Sequence, residues 1–209
     1  MQFLGGVASA IAHIHEKNVI HRDICASNIL VAMGGDPVGP VGKVADFGLA
    51  TLKEPEGRLL TAHVTQLGWR APELVAYNLQ LGMAAKCAYG AEVDMWSLGV
   101  LIHFVLTGGN DFVPRLLEDT HTRELTLLSI LSRFNQSEVE DMFRRTGCAV
   151  CMHAEPAASV ADGQCRHVDG SSKERIIART IDALLQLDPR ARPTARTVSE
   201  ALLQHESVK

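Results

Sequence analysis

His21-Arg22-Asp23-Ile24-Cys25-Ala26-Ser27-Asn28, with Asp46-Phe47-Gly48 following eighteen residues after Asn28 and Ala71-Pro72-Glu73 further on, is the stretch from which the fold is read. Before it, Phe3, Val7, Ile11 and Ile14 recur at spacings of four, four and three. One face of a helix is therefore apolar, and the periodicity stops at the polar, turn-prone Lys17-Asn18. After the octet, Ile29 to Ala32 reads as a short buried strand. Met33 to Pro40 is dense in Gly and Pro, and Val41 to Ala45 resumes strand character, so the pair predicts a hairpin closed by Asp46-Phe47-Gly48. The polar chemistry collects in two loops, one on each side of that hairpin.

Length and composition set the frame. A chain of 209 residues is enough for one sizeable domain. Hydrophobic residues at 46% and charged residues at 21% are ordinary for a globular protein with a packed core. The formal net charge of -4 comes without a Lys/Arg block, so neither nucleic acid nor an anionic membrane is expected as a partner. Five cysteines, an odd set in a chain of this size, argue against a disulfide scaffold and for a reducing, intracellular compartment, cytoplasm or nucleus. The apolar start superficially resembles a secretory leader, but it lacks the positive charges of one and its periodicity is helical. No uninterrupted apolar run approaches the ~20 residues needed to cross a bilayer.

Leu49 to Trp69 shows no sustained period and is expected to be a loop. Ala91 to Leu106 is apolar nearly all round after its first turn, the mark of a helix buried in the middle of a domain. A helix is expected over Glu174 to Gln186, with Ile177, Ile181, Leu184 and Leu185 inward, ending before Asp188-Pro189 because the residue preceding proline disfavours helical backbone. Thr197 to Gln204 makes a last helix.

The octet resembles the protein-kinase catalytic loop H-R-D-L-x-x-x-N, Asp46-Phe47-Gly48 resembles D-F-G, and Ala71-Pro72-Glu73 resembles A-P-E, in the family's order. Val93 to Gly99 is similar to the start of the large central helix of kinases. Leu187 to Thr194 is similar to the segment whose arginine pairs with the A-P-E glutamate. The resemblance covers nearly the whole chain and lies closest in motif style to the cyclin-dependent and MAP kinase group, on the Ser/Thr side. It implies a mainly α fold, a protein-kinase-like C-terminal lobe with a central buried helix and a small β-hairpin carrying the metal-binding loop.

Further implications of the resemblance concern individual residues. Asp23 would orient the substrate hydroxyl and accept its proton. Asn28 and Asp46 would hold Mg²⁺ and, with Leu30, the ATP. His21, Phe47 and Gly48 would shape the two loops, Asp94 would hold the catalytic-loop backbone, and Glu73 would pair with Arg192. Arg22 would read a phosphate on the segment from Asp46 to Glu73, where Thr61 is the first candidate for phosphorylation and Thr65 the second. A protein substrate follows from the reaction, and a regulatory protein partner is compatible with it.

Two departures stand out. Cys25 occupies the place of a lysine, and Gln66 that of a threonine which bonds that lysine and the catalytic aspartate in Ser/Thr kinases. Nothing in the chain resembles the Gly-rich loop, the V-A-I-K lysine or its glutamate partner. The 209 residues are therefore read as a partial kinase domain, 1–209, using ATP and Mg²⁺ only with an N-lobe supplied; the alternative is a pseudokinase or C-lobe fragment acting as a binding module. Within it, residues 147–170 read as a surface insertion. Cys148, Cys151, Cys165 and His167 have some of the residue types of a zinc site, but the C-x-H second half and the small-residue-rich stretch between favour the insertion over zinc. Cys87 is expected to be a solvated or half-buried loop thiol.

Overall fold

In the computed structural model, residues 2–34, 39–53, 59–81, 86–109 and 172–204 are described. Helix α1 (Gln2–Glu16) buries Leu4, Val7, Ala8 and Ile11 on one face, the stripe set by its apolar spacing. It ends where Asn18 takes a left-handed φ of 58°, a conformation asparagine tolerates better than most residues. Strand β1 (Val19–Ile20) then leads into the His21 loop and pairs antiparallel with β4 (Thr51–Leu52). Strands β2 (Ile29–Met33) and β3 (Pro40–Val44) form the hairpin, in register from Ile29 opposite Val44 to Met33 opposite Pro40. The hairpin lies directly on α1. A side-chain carbon added at Gly42 would fall 2.4 Å from a Val7 methyl, so glycine is what permits the approach.

The remaining helices build the core. Helix α2 (Pro72–Leu81) starts with proline at its first position, where the missing N–H is not needed. Helix α3 (Glu92–Leu106) buries every residue from Val93 to His103, as its all-round apolar sequence requires. Against it packs α4 (Ser172–Leu184), with Leu184 and Leu185 fully buried. Gly99 lets the two helices close, since a Cβ there would meet Leu184 and Leu185 at 2.8–3.0 Å. Helix α5 (Ala195–Gln204) packs on α1 and buries Val198 and Leu202. Helix ends differ from the sequence expectation by about two residues, the usual slack of end fraying.

Three expectations need correction. The stretch from Leu49 to Trp69 contains β4, β5 (Leu60–Thr61) and a 3-10 turn over Leu67–Trp69 instead of plain loop; two-residue strands are too short to show a period. The strand expected to be buried over Ile29 to Ala32 is buried only at Ile29, with Leu30 and Val31 56% and 60% exposed, since an apolar run by itself does not show which of its faces is covered; helix α2 had no expectation over its range. Cys87 lies in β6 (Lys86–Cys87), paired with β5, and is 3% exposed. Burial, and then the nearby Glu73 charge, push its thiol up to about 11, so it is an inert core group. The insertion at 147–170 and the four Cys/His residues considered for zinc lie outside the described residues; among those described, no cluster of three or more His, Cys, Asp and Glu could hold a metal.

Burial of His103 in α3 has a solution consequence. Desolvation lowers its pKa from the usual 6.5, so the unfolded chain binds a proton more readily than the folded one. Stability then rises with pH within the window below about 6.5 and falls as the solution is acidified through it. The urea midpoint is expected to drop as pH is lowered below 6.5, and His103→Leu should flatten that dependence.

Candidate active site

Asp94, in the first turn of α3 and 1% exposed, is the anchor of the site. Its Oδ1 accepts the Arg22 N–H at 2.8 Å and its Oδ2 accepts the His21 N–H at 2.8 Å. The same Oδ2 lies 2.8 Å from Nε2 of His15, the last turn of α1. Two charge-assisted bonds to consecutive amides fix the path of the loop, and they hold Arg22 in a left-handed φ of 66° that a branched or bulky side chain avoids without support. The chain turns where its partner dictates.

His21 is fully buried and cross-links the two loops. Its Nδ1 accepts the Asp23 N–H at 3.2 Å, which leaves the ring proton on Nε2 to donate to the Ala45 carbonyl at 3.1 Å. Its ring also meets Phe47 edge-on, with centroids 4.8 Å apart. On the next residues, Asn28 is 9% exposed and donates from Nδ2 to the Asp23 carbonyl at 2.9 Å and to Asp23 Oδ2 at 2.8 Å. Asp23 Oδ1 is buried and has no hydrogen-bond partner among the described residues. A buried carboxylate oxygen without a partner is costly, so it marks a place for a donor to enter.

The hairpin brings Asp46 to the same place. The Asn28 carbonyl accepts the Ala45 N–H at 2.9 Å, continuing the ladder begun by Ile29 and Val44, so Asp46 follows immediately beyond Asn28. Asp46 has φ 59°, is exposed, and accepts the Gly48 N–H through Oδ1 at 3.0 Å. With Nδ2 of Asn28 spent on Asp23, its Oδ1 is left as an oxygen ligand, and the Asp46 carboxylate offers another. Those are hard ligands suited to Mg²⁺. Leu30 is 56% exposed on the same hairpin.

Around Arg22 the structure adds a residue that sequence reading missed. Arg22 donates from Nε to the Leu49 carbonyl at 2.6 Å and from Nη1 to the Tyr89 hydroxyl at 3.1 Å. Tyr89 in turn donates to the Thr61 carbonyl at 2.6 Å. Burial raises the Tyr89 pKa and the Arg22 bond works against that rise. No motif spacing flagged Tyr89. Thr61 is exposed in β5 opposite Lys86, whereas Thr65 is buried, has φ 65°, and donates its hydroxyl to the Arg22 carbonyl at 2.5 Å. Of the two threonines, only Thr61 is exposed.

Gln66 and Cys25, the two departures, meet. Gln66 Nε2 lies 3.7 Å from Cys25 Sγ and 3.5 Å from Ser27 Oγ, and that sulfur and hydroxyl are 3.1 Å apart. Further off, Arg192 and Glu73 form a two-pronged pair at 2.7 and 2.8 Å, with the arginine side chain fully buried.

A helical body with a loop hung from its central helix and a hairpin carrying a second loop is the architecture of a protein kinase. The chain belongs to the protein kinase domain family, whose model matches residues 1–206. A probable serine/threonine-protein kinase of Arabidopsis thaliana is 34% identical over 191 residues, covering 90% of this chain and 29% of that relative. Calcium/calmodulin-dependent protein kinase type IV of Mus musculus is 37% identical over 106 residues, 51% of this chain and 20% of the relative. The chain thus spans less than a third of the length of these curated relatives. Among solved structures, that of the CAK complex from Chaetomium thermophilum bound to ATP-gamma-S matches with a TM-score of 0.59 and 25% identity, covering 94% of this chain and 55% of that one.

Proposed function

We propose that this chain is the catalytic, C-lobe part of a serine/threonine protein kinase, moving the γ-phosphate of ATP to a hydroxyl of a protein substrate. The observation that supports this reading best is the Asp23–Asn28 pair, held at the open end of the hairpin with Asp46 following at that same end. Asp23, with Oδ2 committed to Asn28 and Oδ1 without a partner among the described residues, would take a hydrogen bond and then a proton from the substrate hydroxyl. Asn28 and Asp46 would hold Mg²⁺, which when bound neutralises phosphate charge. Leu30 would offer an apolar surface to the nucleotide, with an N-lobe supplying the rest of the ATP site. His21 holds the two loops in mutual register, with Phe47 against its ring and Gly48 turning the chain on Asp46. Asp94 fixes the loop backbone, and Glu73 with Arg192 fixes the segment that follows. Phosphorylation at Thr61 and a regulatory protein partner belong to the same reading, in an intracellular compartment suited to the free thiols of Cys25 and Cys87.

The test uses protein produced from the full coding sequence. Mg²⁺-dependent transfer from ATP to a Ser/Thr peptide is expected, Asp46→Ala should reduce it to background, and Asp23→Asn should lower kcat by about 10²–10⁴-fold with the circular dichroism unchanged. Equal transfer by the parent and Asp46→Ala would overturn the reading. Peptide binding without transfer would leave a binding module in its place.

A further inference from the structure

Both departures from the kinase pattern fall in one contact. We propose that Gln66 is a positioning residue whose side-chain amide latches the segment before Ala71-Pro72-Glu73 onto the catalytic loop through Cys25 and Ser27. The latch is neutral at every member, where the family resemblance led to a charged one. This deepens the kinase reading of the site, but its evidence and its test stand on the folded chain alone.

Cys25 belongs to the buried core. Its side chain is 1% exposed although Gln66 and Ser27, the two groups against it, are themselves exposed. The thiol, two residues from Asp23, thus lies against two side chains that solvent can reach. Nε2 of Gln66 is a donor only, so toward both Sγ at 3.7 Å and Oγ at 3.5 Å it gives its hydrogens. The Ser27 hydroxyl, accepting from Gln66, lies 3.1 Å from Cys25 Sγ, a contact in which either the hydroxyl or the thiol can donate. The three groups close a ring of contacts in which each bond orients the next.

Neighbouring contacts show why the latch is separable from the fold. Thr65 already ties the same segment to the loop through the Arg22 carbonyl at 2.5 Å. Arg70 holds its backbone by donating to the Val64 carbonyl at 2.9 Å and the Thr65 carbonyl at 2.8 Å. Removing the Gln66 amide therefore leaves the backbone docked and frees only the surface beside Asp23. The contacts are long, so each is weak and contributes little to global stability. Neutral partners also make it indifferent to salt, unlike an ion pair at the same exposure.

Alkylation of Cys25 by iodoacetamide in the 209-residue chain, read by mass spectrometry of its peptide so that the other cysteines do not interfere, tests this. Gln66→Ala and Gln66→Met should each raise the Cys25 rate about 5-fold, since both weak bonds from the Gln66 amide are lost in either variant, while the thermal midpoint stays within error of the parent. Ser27→Ala should raise it similarly, and the double variant Gln66→Ala/Ser27→Ala should do no more than either single one, because the ring is broken once. Protection by Gln66→Met equal to the parent would show mere steric cover and overturn the latch. So would an unchanged rate in Gln66→Ala, or additive effects in the double variant. These outcomes are independent of whether phosphate is ever transferred.

Discussion

Arg192→Ala is expected to lower the stability of this chain by about 3–5 kcal/mol. Its guanidinium is fully buried and meets Glu73 with two parallel bonds of 2.7 and 2.8 Å. It also donates to the carbonyls of Gln186 and Glu92 at 2.9 Å each and lies 5.2 Å from the Trp96 ring. Removing it strands a carboxylate and two carbonyls and opens a void beside Trp96, in a core that does not refill. Glu73→Gln should fall at the lower end of the same range: the amide still accepts one bond, but the buried cation loses its counter-charge. Arg192→Lys should not rescue, because an ammonium cannot reproduce the fork that spans helix α2 and the start of α3. Urea midpoints of the three variants at low and high salt check this, with losses expected to be equal at both because the pair is shielded from ions. A loss under about 1 kcal/mol for Arg192→Ala would place the pair among exposed ion pairs of little value.

That pair shows what could be read before the fold was known. Glu73 and Arg192 are separated by more than a hundred residues, and no local pattern joins them; the family resemblance did, and the bidentate geometry agrees. The apolar stripes of α1 and the all-round apolar run of α3 were visible as periodicity, since burial imposes it on any long helix. Strands β4, β5 and β6 were not visible, because two-residue strands are defined by partners far along the chain and leave no period. Tyr89 went unseen for the same reason: its meaning lies in reaching Arg22 and the Thr61 carbonyl at once, a coincidence of three segments. Cys25 and Gln66 were legible as departures but not as neighbours. Sequence marks which residues are unusual, and only packing tells which unusual residues compensate one another.

Asp94→Asn should have the most local of the large effects. The carboxylate is 1% exposed and accepts from two consecutive amides, His21 and Arg22, each at 2.8 Å, with His15 on the same oxygen. Bonds to a charged acceptor contribute about 1.5–3 kcal/mol each, so losing one outright and the charge behind the other costs about 2–4 kcal/mol. Asparagine keeps one carbonyl oxygen but turns an N–H₂ group toward an N–H, so at most one amide is satisfied and the other is repelled. Arg22 then loses the support of its own N–H at a φ of 66° and keeps only its tethers to Leu49, Tyr89 and Thr65, and its relaxation would withdraw the carbonyl on which Thr65 rests. Hydrogen exchange should therefore quicken first at His21 and Arg22 and next at Thr65, while amides in the middle of α3 stay protected up to the global limit. Uniform loss of protection across α3 would mean that Asp94 serves the core and not the loop. Localised loss would mean that the strain at Arg22 is held by this one carboxylate, and that the loop bearing Asp23 is only as ordered as the residue beneath it.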